Sequence, residues 1–259
     1  MRDITYPLVI AAAKTAFRAL DYKFVFEGLE HLPGKGEGGA LLAMNHTGYV
    51  DYLVGGYPGH KKGRYTRFMA KKEVFDNPIG GPVMRSFHHI PVDRSAGLGS
   101  MEEAVNFLKA GELVAIYPEA TISRSFLIKE LKTGAVRIAA KAEVPLIPMV
   151  VWGTHRIFTK DHPKDFSRHK TIIVKIGEPI WCSNEDPTGQ TEQLHKVMST
   201  MLDEAIKAYP EDEKPPGSWW LPASYGGSAP TLQEAERIDV EEKRERARRK
   251  AEKRAAKKK

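Results

Sequence analysis

The residues with the clearest chemical potential are a histidine and an aspartate that follow an apolar run. Leu41–Met44 is typical of a buried strand, Asn45 and His46 come directly after it, and Asp51 follows five residues beyond His46. On one continuous helix this spacing would place the two side chains about 140° apart, so a turn must bring them together. A carboxylate paired with histidine fixes the ring tautomer and stabilises its protonated form. The second ring nitrogen is then available as a general base.

The elements that must position this pair form an α/β pattern. Short apolar runs alternate with longer amphipathic ones between residues 22 and 208, which predicts a single domain with a mostly parallel central sheet flanked by helices. The predicted strands are Tyr22–Phe26, Gly39–Met44, Thr66–Ala70, His89–Val92, Leu113–Tyr117, Leu146–Val151 and Thr171–Ile176. The predicted helices are Val50–Tyr57, Glu73–Ser86, Ser100–Lys109, Thr133–Lys141 and Glu192–Tyr209. His46 would then lie in the turn that leaves the second strand.

Three segments flank this domain, whose predicted limits are 21–209. Residues 1–20 carry apolar side chains at helical spacing, which indicates an amphipathic helix that either packs on its own domain or lies in a membrane interface. Residues 210–230 are rich in proline and glycine and predict a linker. The Trp219–Trp220 pair within it either docks on the body or sits at a lipid headgroup layer. Residues 231–259 predict a basic tail that is helical or disordered.

The charge of the chain lies in that tail. Residues 241–259 hold eleven lysines and arginines against four glutamates, which accounts for the whole net charge of +7. The remainder of the chain is balanced, which argues against a nucleic-acid-binding body. No apolar run approaches the ~20 residues of a bilayer span, and the run at 8–13 is too short for a cleaved signal, so we expect it to be retained. Cys182, the single cysteine, excludes an internal disulfide framework, and no ligand cluster predicts a metal.

Four blocks, in order over about residues 22–180, resemble the glycerolipid acyltransferase family of the lysophosphatidic acid acyltransferase or PlsC type. The family's Asn-His-x-x-x-x-Asp block is matched by Asn45, His46 and Asp51. After it comes a similar lysine-bearing stretch at 69–75. The other three blocks are an apolar strand ending in arginine at 90–94, residues 118–125, and a proline-containing strand at 144–149. The block at 118–125 departs from the usual Pro-Glu-Gly-Thr-Arg-Ser, because Ala120 replaces glycine and two residues separate Thr121 from Arg124.

The resemblance implies a glycerol-3-phosphate acyltransferase-like fold and an O-acyltransferase. The enzyme would move an acyl chain from acyl-CoA or acyl carrier protein to the free hydroxyl of lysophosphatidic acid, giving phosphatidic acid for phospholipid biosynthesis. It implies His46 as base with Asp51 as its partner, no cofactor, no metal and no covalent acyl-enzyme. The implied substrate- and phosphate-binding residues are Lys71, Arg94, Glu119, Thr121, Arg124 and Ser125, with Asn45 and Lys132 as secondary candidates. Arginine offers a phosphate paired donors and lysine a point charge.

The lipid substrate implies a membrane surface as the place of action. We expect a cytoplasmic protein held peripherally at the inner face of the membrane, where an anionic leaflet attracts the basic tail. Two alternatives stay open. The acceptor could be another lysophospholipid or a glycolipid. The chain could also be a non-catalytic protein that binds a membrane or a nucleic acid through its tail, although no specific nucleic acid is expected.

Overall fold

A central β-sheet with helices on both faces makes up the domain in residues 5–93 and 97–256, the parts of the chain that the computed structural model describes. The strands are β1 (Lys23–Glu27), β2 (Ala40–Met44), β3 (Thr66–Lys71), β4 (Ile90–Val92), β5 (Leu113–Ile116), β6 (Leu146–Trp152) and β7 (Thr171–Ile176). The α-helices are α1 (Thr5–Ala19), α2 (Asp51–Lys61), α3 (Lys72–Phe75), α4 (Gly80–Ser86), α5 (Gly97–Lys109), α6 (Gly134–Ala142), α7 (Pro187–Lys207) and α8 (Leu232–Ala256).

The sheet has the strand order β1-β7-β6-β2-β5-β3-β4. Its neighbours pair in parallel except β6 and β7, which are antiparallel. This confirms the predicted α/β domain with a mostly parallel sheet, and each predicted strand is present to within one residue at either end. Because β5 and β6 flank β2 in parallel, the loops that leave all three strands meet at one edge of the sheet, the edge where α/β domains bind ligands.

The central strand β2 is buried along its whole length. Leu41 and Ala43 face the apolar layer that also contains residues of α5, α6 and α7, whereas Leu42 and Met44 face the layer that contains Val54 of α2. Burying one such leucine contributes roughly 1.5–3 kcal/mol to folding. A slip of one residue would exchange the two faces, so packing fixes the register of the strand that leads to His46.

The helix α2 ends four residues later than predicted, and α5 begins three residues earlier. Two other predicted helices differ more from the structure. The helix predicted at Glu73–Ser86 is wrong, because it is two short helices, α3 and α4. Pro78 disfavours helical geometry at Asn77, and the Asn77 side chain accepts the N–H groups of Ile79 and Gly80 at 3.0 and 2.8 Å. The helix predicted to begin at Glu192 begins instead at Pro187, where Asp186 accepts a hydrogen bond from the Gly189 N–H at 2.9 Å.

The N-terminal helix α1 packs on the domain. The Tyr6 hydroxyl donates to the carbonyl of Thr66 at 2.8 Å, and its ring stacks on Tyr65. At the other end of α1, Phe17 lies against Phe24 of β1 with ring centroids 5.1 Å apart. Of the two alternatives for this helix, the docked one is therefore present in this structure. Residues 1–4 of the predicted segment 1–20 lie outside the described residues.

The tryptophan pair of the linker also docks on the body. Trp220 is buried, and its carbonyl lies 3.1 Å from Nε2 of His155, while Trp219 stacks on His162 with ring centroids 3.8 Å apart. Beyond the linker, the tail forms the helix α8. Across residues 5–93 and 97–256, no helix combines the length and the apolar character needed to cross a bilayer.

Candidate active site

The turn after β2 brings the predicted pair together. His46 Nδ1 lies 3.0 Å from Oδ2 of Asp51, the first residue of α2. The same oxygen accepts the backbone N–H groups of Thr47 and Gly48 at 2.7 and 2.8 Å. His46 is 23% exposed and Asp51 only 1%. The carboxylate is therefore shielded from water while the ring reaches the surface, and a ring that donates from Nδ1 keeps an unprotonated Nε2.

The turn is tight because it packs against the segment that follows β6. The Tyr49 N–H donates to the carbonyl of Phe158 at 2.8 Å. A Cβ atom on Gly48 would lie 2.8 Å from that same carbonyl oxygen, closer than side chains are found. Gly48 is therefore needed for the close approach of two backbones. The sequence places this glycine in the block, but its reason is visible only in the structure.

A threonine from the loop after β6 completes the hydrogen bonding of Asp51. The Thr154 hydroxyl donates to Oδ1 of Asp51 at 2.5 Å, and both side chains are buried. Nearby, the Thr159 hydroxyl donates to the carbonyl of Thr47 at 2.6 Å. Sequence reasoning missed Thr154, since the only signal for it is its position directly after a strand that pairs with β2.

Tyr117, which directly follows β5, places its ring against the imidazole. The rings of Tyr117 and His46 stack with centroids 4.1 Å apart and an interplanar angle of 21°. Burial, with a smaller contribution from the charge of Asp51, raises the pKa of the Tyr117 hydroxyl well above its usual value. The tyrosine therefore stays neutral and restricts the ring orientation of His46 by packing.

Glu119 holds the backbone of the turn after β2. Its Oε1 accepts the His46 N–H at 2.8 Å, and its Oε2 accepts the Lys129 N–H at 3.0 Å. Burial raises the pKa of Glu119 to about 7, although the two backbone hydrogen bonds and the charge of Lys129 lower it. Glu119 is predicted to contact the substrate phosphate, and the structure differs from that prediction. Its carboxylate is 4% exposed, and both of its oxygens accept hydrogen bonds from the protein.

Arg124 lies in a cluster of opposite charges. Its Nε donates to Asp161 at 2.8 Å and its Nη2 to Glu242 of α8 at 2.9 Å, and a further ion pair joins it to Asp239 of α8. Thr121 lies at the edge of the same group, because its hydroxyl accepts from Nζ of Lys129 at 2.8 Å. The structure therefore places Arg124 and Thr121 together, but with protein carboxylates around the guanidinium.

Two predicted contacts are internal to the protein. Ser125 is fully buried, with its hydroxyl 3.0 Å from that of Ser123, so it does not reach a substrate as predicted. Asn45 is also buried. Its amide donates to the carbonyl of Val151 at 3.0 Å and accepts the N–H of Val151 at 2.7 Å, which ties the end of β2 to β6.

Two further predicted cations, Lys71 and Lys132, are exposed. Lys71 is the last residue of β3, with an exposed side chain at the same edge of the sheet as His46. Lys132 is exposed and pairs with Glu130 at 2.7 Å, and α6 begins only at Gly134. The predicted role of Arg94 falls outside the described residues.

Comparison with known proteins finds similar chains. The acyltransferase family model matches residues 23–152, which include His46, Asp51 and Glu119. A 1-acyl-sn-glycerol-3-phosphate acyltransferase of Bacillus subtilis (strain 168) is 32% identical over 69% of this chain and 83% of its own length. A protein of the same name from Limnanthes douglasii is 33% identical over 58% of this chain, which spans about half (53%) of that relative.

The fold has a counterpart among solved structures. The crystal structure of PlsC, the 1-acyl-sn-glycerophosphate (LPA) acyltransferase of Thermotoga maritima, matches with a TM-score of 0.64 at 24% identity. The match covers 79% of this chain and 80% of that one, and it shows a shared fold. The family model spans half of the sequence, and the match to the Bacillus protein, a 1-acyl-sn-glycerol-3-phosphate acyltransferase, covers most of that relative's length. The chain therefore belongs to the acyltransferase family and is by class an acyltransferase.

Proposed function

We propose that the protein transfers an acyl chain from acyl-CoA or acyl carrier protein to the free hydroxyl of lysophosphatidic acid, giving phosphatidic acid. The observation that carries this proposal is the His46–Asp51 pair at the carboxyl edge of the sheet, with a group of cations beside it. The relatives named as 1-acyl-sn-glycerol-3-phosphate acyltransferases support the same acceptor.

In this mechanism His46 acts as a general base. Its Nε2 takes the proton of the acceptor hydroxyl as that oxygen attacks the thioester carbonyl carbon. The tetrahedral intermediate collapses by breaking the carbon–sulfur bond, and the protonated imidazole returns its proton to the departing thiolate. Asp51 stabilises the imidazolium in between. A positioned base of this kind contributes ~10²–10⁴-fold to the rate.

Cations beside the pair favour a phosphorylated acceptor. Arg124, Lys129 and Lys160 lie together next to the turn that carries His46, and Lys71 ends a strand at the same edge. A phosphomonoester carries close to two negative charges near neutral pH. The headgroup would therefore be held by these side chains while the glycerol hydroxyl faces the imidazole.

Action at a membrane surface is part of the proposal, because the product is an insoluble lipid. The helix α8 exposes five basic residues, Lys243, Arg244, Arg246, Arg248 and Arg249. Each cation held near an anionic leaflet contributes about 1 kcal/mol to attachment, less where glutamates intervene. A cytoplasmic position at the inner leaflet fits these charges and the free thiol of Cys182.

The decisive experiment replaces His46 by alanine in the full chain. We expect the variant to bind vesicles and unfold as the unchanged protein does, and to lose acyl transfer from radiolabelled palmitoyl- or oleoyl-CoA to lysophosphatidic acid by at least ~10²-fold. A matched control is His195→Ala on α7, a histidine outside the site. Activity retained in the His46 variant would overturn the mechanism.

The same assay separates the alternatives. A panel of lysophospholipids and a glycolipid identifies the acceptor. If the acceptor assignment is wrong, a lipid with a different headgroup will be acylated faster than lysophosphatidic acid. Replacing Arg248 and Arg249 by glutamate should weaken vesicle binding while activity on detergent-dispersed substrate stays. If those changes abolish all measurable function and His46→Ala none, the protein is a non-catalytic membrane or nucleic-acid binder.

A further inference from the structure

Three cations beside the catalytic turn are held by two carboxylates of the C-terminal helix. We call Arg124, Lys129 and Lys160 the cation cluster. Glu242 of α8 accepts from Arg124 at 2.9 Å and from Lys160 at 3.3 Å. Asp239, one turn earlier on α8, accepts from Lys129 at 2.5 Å and forms an ion pair with Arg124. The tail therefore inserts two negative charges into a basic group roughly 80–120 residues away in sequence.

The cation cluster is built onto the backbone of the catalytic turn. Arg124 and Lys160 directly follow residues that hydrogen-bond to the backbone of His46 and Thr47, and the Lys129 backbone shares the Glu119 carboxylate with the His46 N–H. These bonds are Ser123 N–H to the His46 carbonyl at 2.7 Å, Thr159 hydroxyl to the Thr47 carbonyl at 2.6 Å, and Lys129 N–H to Glu119, whose second oxygen accepts the His46 N–H. The cluster therefore borders the turn that carries His46.

The charge balance of the cluster matches a phosphomonoester. Its three side chains are only 8–19% exposed, and cations this shielded from water require anionic partners. Among the residues that the structure describes, the one other ion partner of the cluster is Asp161, which is mostly exposed. Without α8 the group thus keeps a net charge of about +2, opposite to the nearly two negative charges of a phosphomonoester.

The α8 carboxylates are suited to fill that place. Burial raises the pKa of Glu242, but hydrogen bonds and charges from Arg124 and Lys160 lower it to about 2, so the group is ionised at neutral pH. The two carboxylates lie three residues apart on α8, and residues at that spacing share one helix face. Together they supply two negative charges on oxygen atoms at the spacing of one helical turn.

We infer that the cation cluster is a binding site for a phosphomonoester headgroup, and that Asp239 and Glu242 are its internal competitor, so that α8 leaves when the phosphate binds. This rests on the proposed function, since it assigns the acceptor's phosphate to that site. The attachment of α8 is suited to release. Of the residues described on α8, Ala235 is the one that is buried, so the ion pairs with the cluster form most of its anchorage beyond the first turn.

The test compares the full chain with the double variant Asp239→Asn/Glu242→Gln. The matched control is Glu245→Gln, on the same helix but paired outward with Arg249. Titration calorimetry with glycerol 3-phosphate measures the headgroup affinity without a lipid phase. If the closed state outnumbers the open one roughly ten to one, the double variant should bind about tenfold more tightly than the control variant. Equal affinities in the two variants would overturn the inference.

Hydrogen–deuterium exchange on the unchanged protein gives a second readout, independent of how the double variant folds. Adding glycerol 3-phosphate should speed exchange in the amides of α8, and sodium chloride at equal ionic strength should not. Unchanged exchange in α8 at saturating glycerol 3-phosphate contradicts the inference. So does acceleration by both salts, because that would be screening only.

These outcomes separate the inference from the proposed function. If glycerol 3-phosphate releases α8 but the protein transfers no acyl chain to lysophosphatidic acid, the competitor inference stands and the proposed function is wrong. If the protein transfers acyl chains to lysophosphatidic acid, but α8 is not released and the double variant binds glycerol 3-phosphate no more tightly than the control, the proposed function stands and the competitor inference is wrong. With both correct, the double variant also lowers the KM for lysophosphatidic acid and leaves the KM for acyl-CoA unchanged.

Discussion

Thr154 and Asp51, more than 100 residues apart in the chain, are joined by a hydrogen bond of 2.5 Å. The carboxylate that orients His46 is therefore held from two sides, by the start of its own helix and by the loop that leaves β6. With two backbone N–H groups, the imidazole and this hydroxyl as partners, Asp51 accepts four hydrogen bonds. It is a rigid part of the fold as well as a partner of the base.

Removing the Thr154 hydroxyl should slow the reaction without weakening substrate binding. Thr154→Val keeps the volume of the side chain but leaves one oxygen of Asp51 without its donor. Hydrogen bonds to charged groups are worth about 1.5–3 kcal/mol, so we expect kcat to fall by about 10–100-fold with KM values nearly unchanged. Thr154→Ser restores the hydroxyl and should recover most of the rate. A rise in KM alone would show that Thr154 contacts substrate instead.

Replacing Asp51 by asparagine should be more damaging. An amide cannot accept with both of its heavy atoms, and its NH₂ group would face donors that now point at a carboxylate. We expect kcat to fall by ~10²–10⁴-fold, because the imidazole loses both its tautomer control and the charge that stabilises its protonated form. The free energy of unfolding, measured by urea denaturation, should fall by about 1–3 kcal/mol. Activity near that of the unchanged protein would separate Asp51 from catalysis.

Truncating Arg124 should affect the acceptor more than the donor. With Arg124→Ala we expect the KM for lysophosphatidic acid to rise by about 10–100-fold, the loss of a charged hydrogen-bond pair, while the KM for acyl-CoA changes little. Lys132→Ala is the matched control, since this cation is exposed and its pair with Glu130 is a surface one, worth about 0–1 kcal/mol. Equal rises in both KM values would place Arg124 at the phosphates of the donor.

The sheet and the His46–Asp51 pair could be predicted from the sequence for physical reasons. Buried parallel strands are continuous apolar runs, so their limits could be predicted to within one residue. The His46–Asp51 contact follows from a strand, a turn and a helix that are adjacent in the chain. Local pattern failed at Asn77–Pro78, where the Asn77 side chain accepts two backbone N–H groups and a new helix follows, although that proline was a visible signal.

The remainder of the site depends on contacts between distant segments. Ser125 and Glu119 lie in a block whose residue types suit substrate binding, yet their side chains point into the protein and satisfy backbone or hydroxyl groups there. For Thr154 the one local signal is its position just beyond the end of β6. Asp239 lies in a helix whose charges alternate along the sequence, and nothing in that pattern selects it over its neighbours as a partner of Arg124.

Acid should destabilise the protein through His155, which fixes the tryptophan pair of the linker. Burial lowers the pKa of His155 from its ordinary 6.5 to about 3, although the hydrogen bond to Trp220 opposes this. Between these two pKa values His155 is protonated in the unfolded chain and neutral in the folded one. Its contribution to the free energy of unfolding is therefore complete above pH 6.5 and is lost as the pH falls toward 3. For one proton the slope is about 1.4 kcal/mol per pH unit.

The measurement for this prediction is urea unfolding of the unchanged protein and of His155→Phe between pH 6 and 4. The variant loses its hydrogen bond to Trp220 and should be less stable at neutral pH. Its stability should nevertheless decline less steeply with acid, by about 1.4 kcal/mol per pH unit. The slope therefore isolates the titration from the packing change, and parallel pH curves for the two proteins would show that His155 does not bind the proton on unfolding.

The alanine that replaces the family's usual glycine, Ala120, should carry backbone strain. Its φ is +61°, in the left-handed region, which costs a residue with a Cβ atom roughly 1–2 kcal/mol. We expect Ala120→Gly to raise the free energy of unfolding by about 0.5–1 kcal/mol and Tm by about 1–4 °C. Ala140→Gly in α6 is the control and should lower stability by about 0.5–1 kcal/mol, because glycine in a helix loses more backbone entropy on folding. Calorimetry that shows both variants destabilised alike would mean that this loop holds Ala120 without strain.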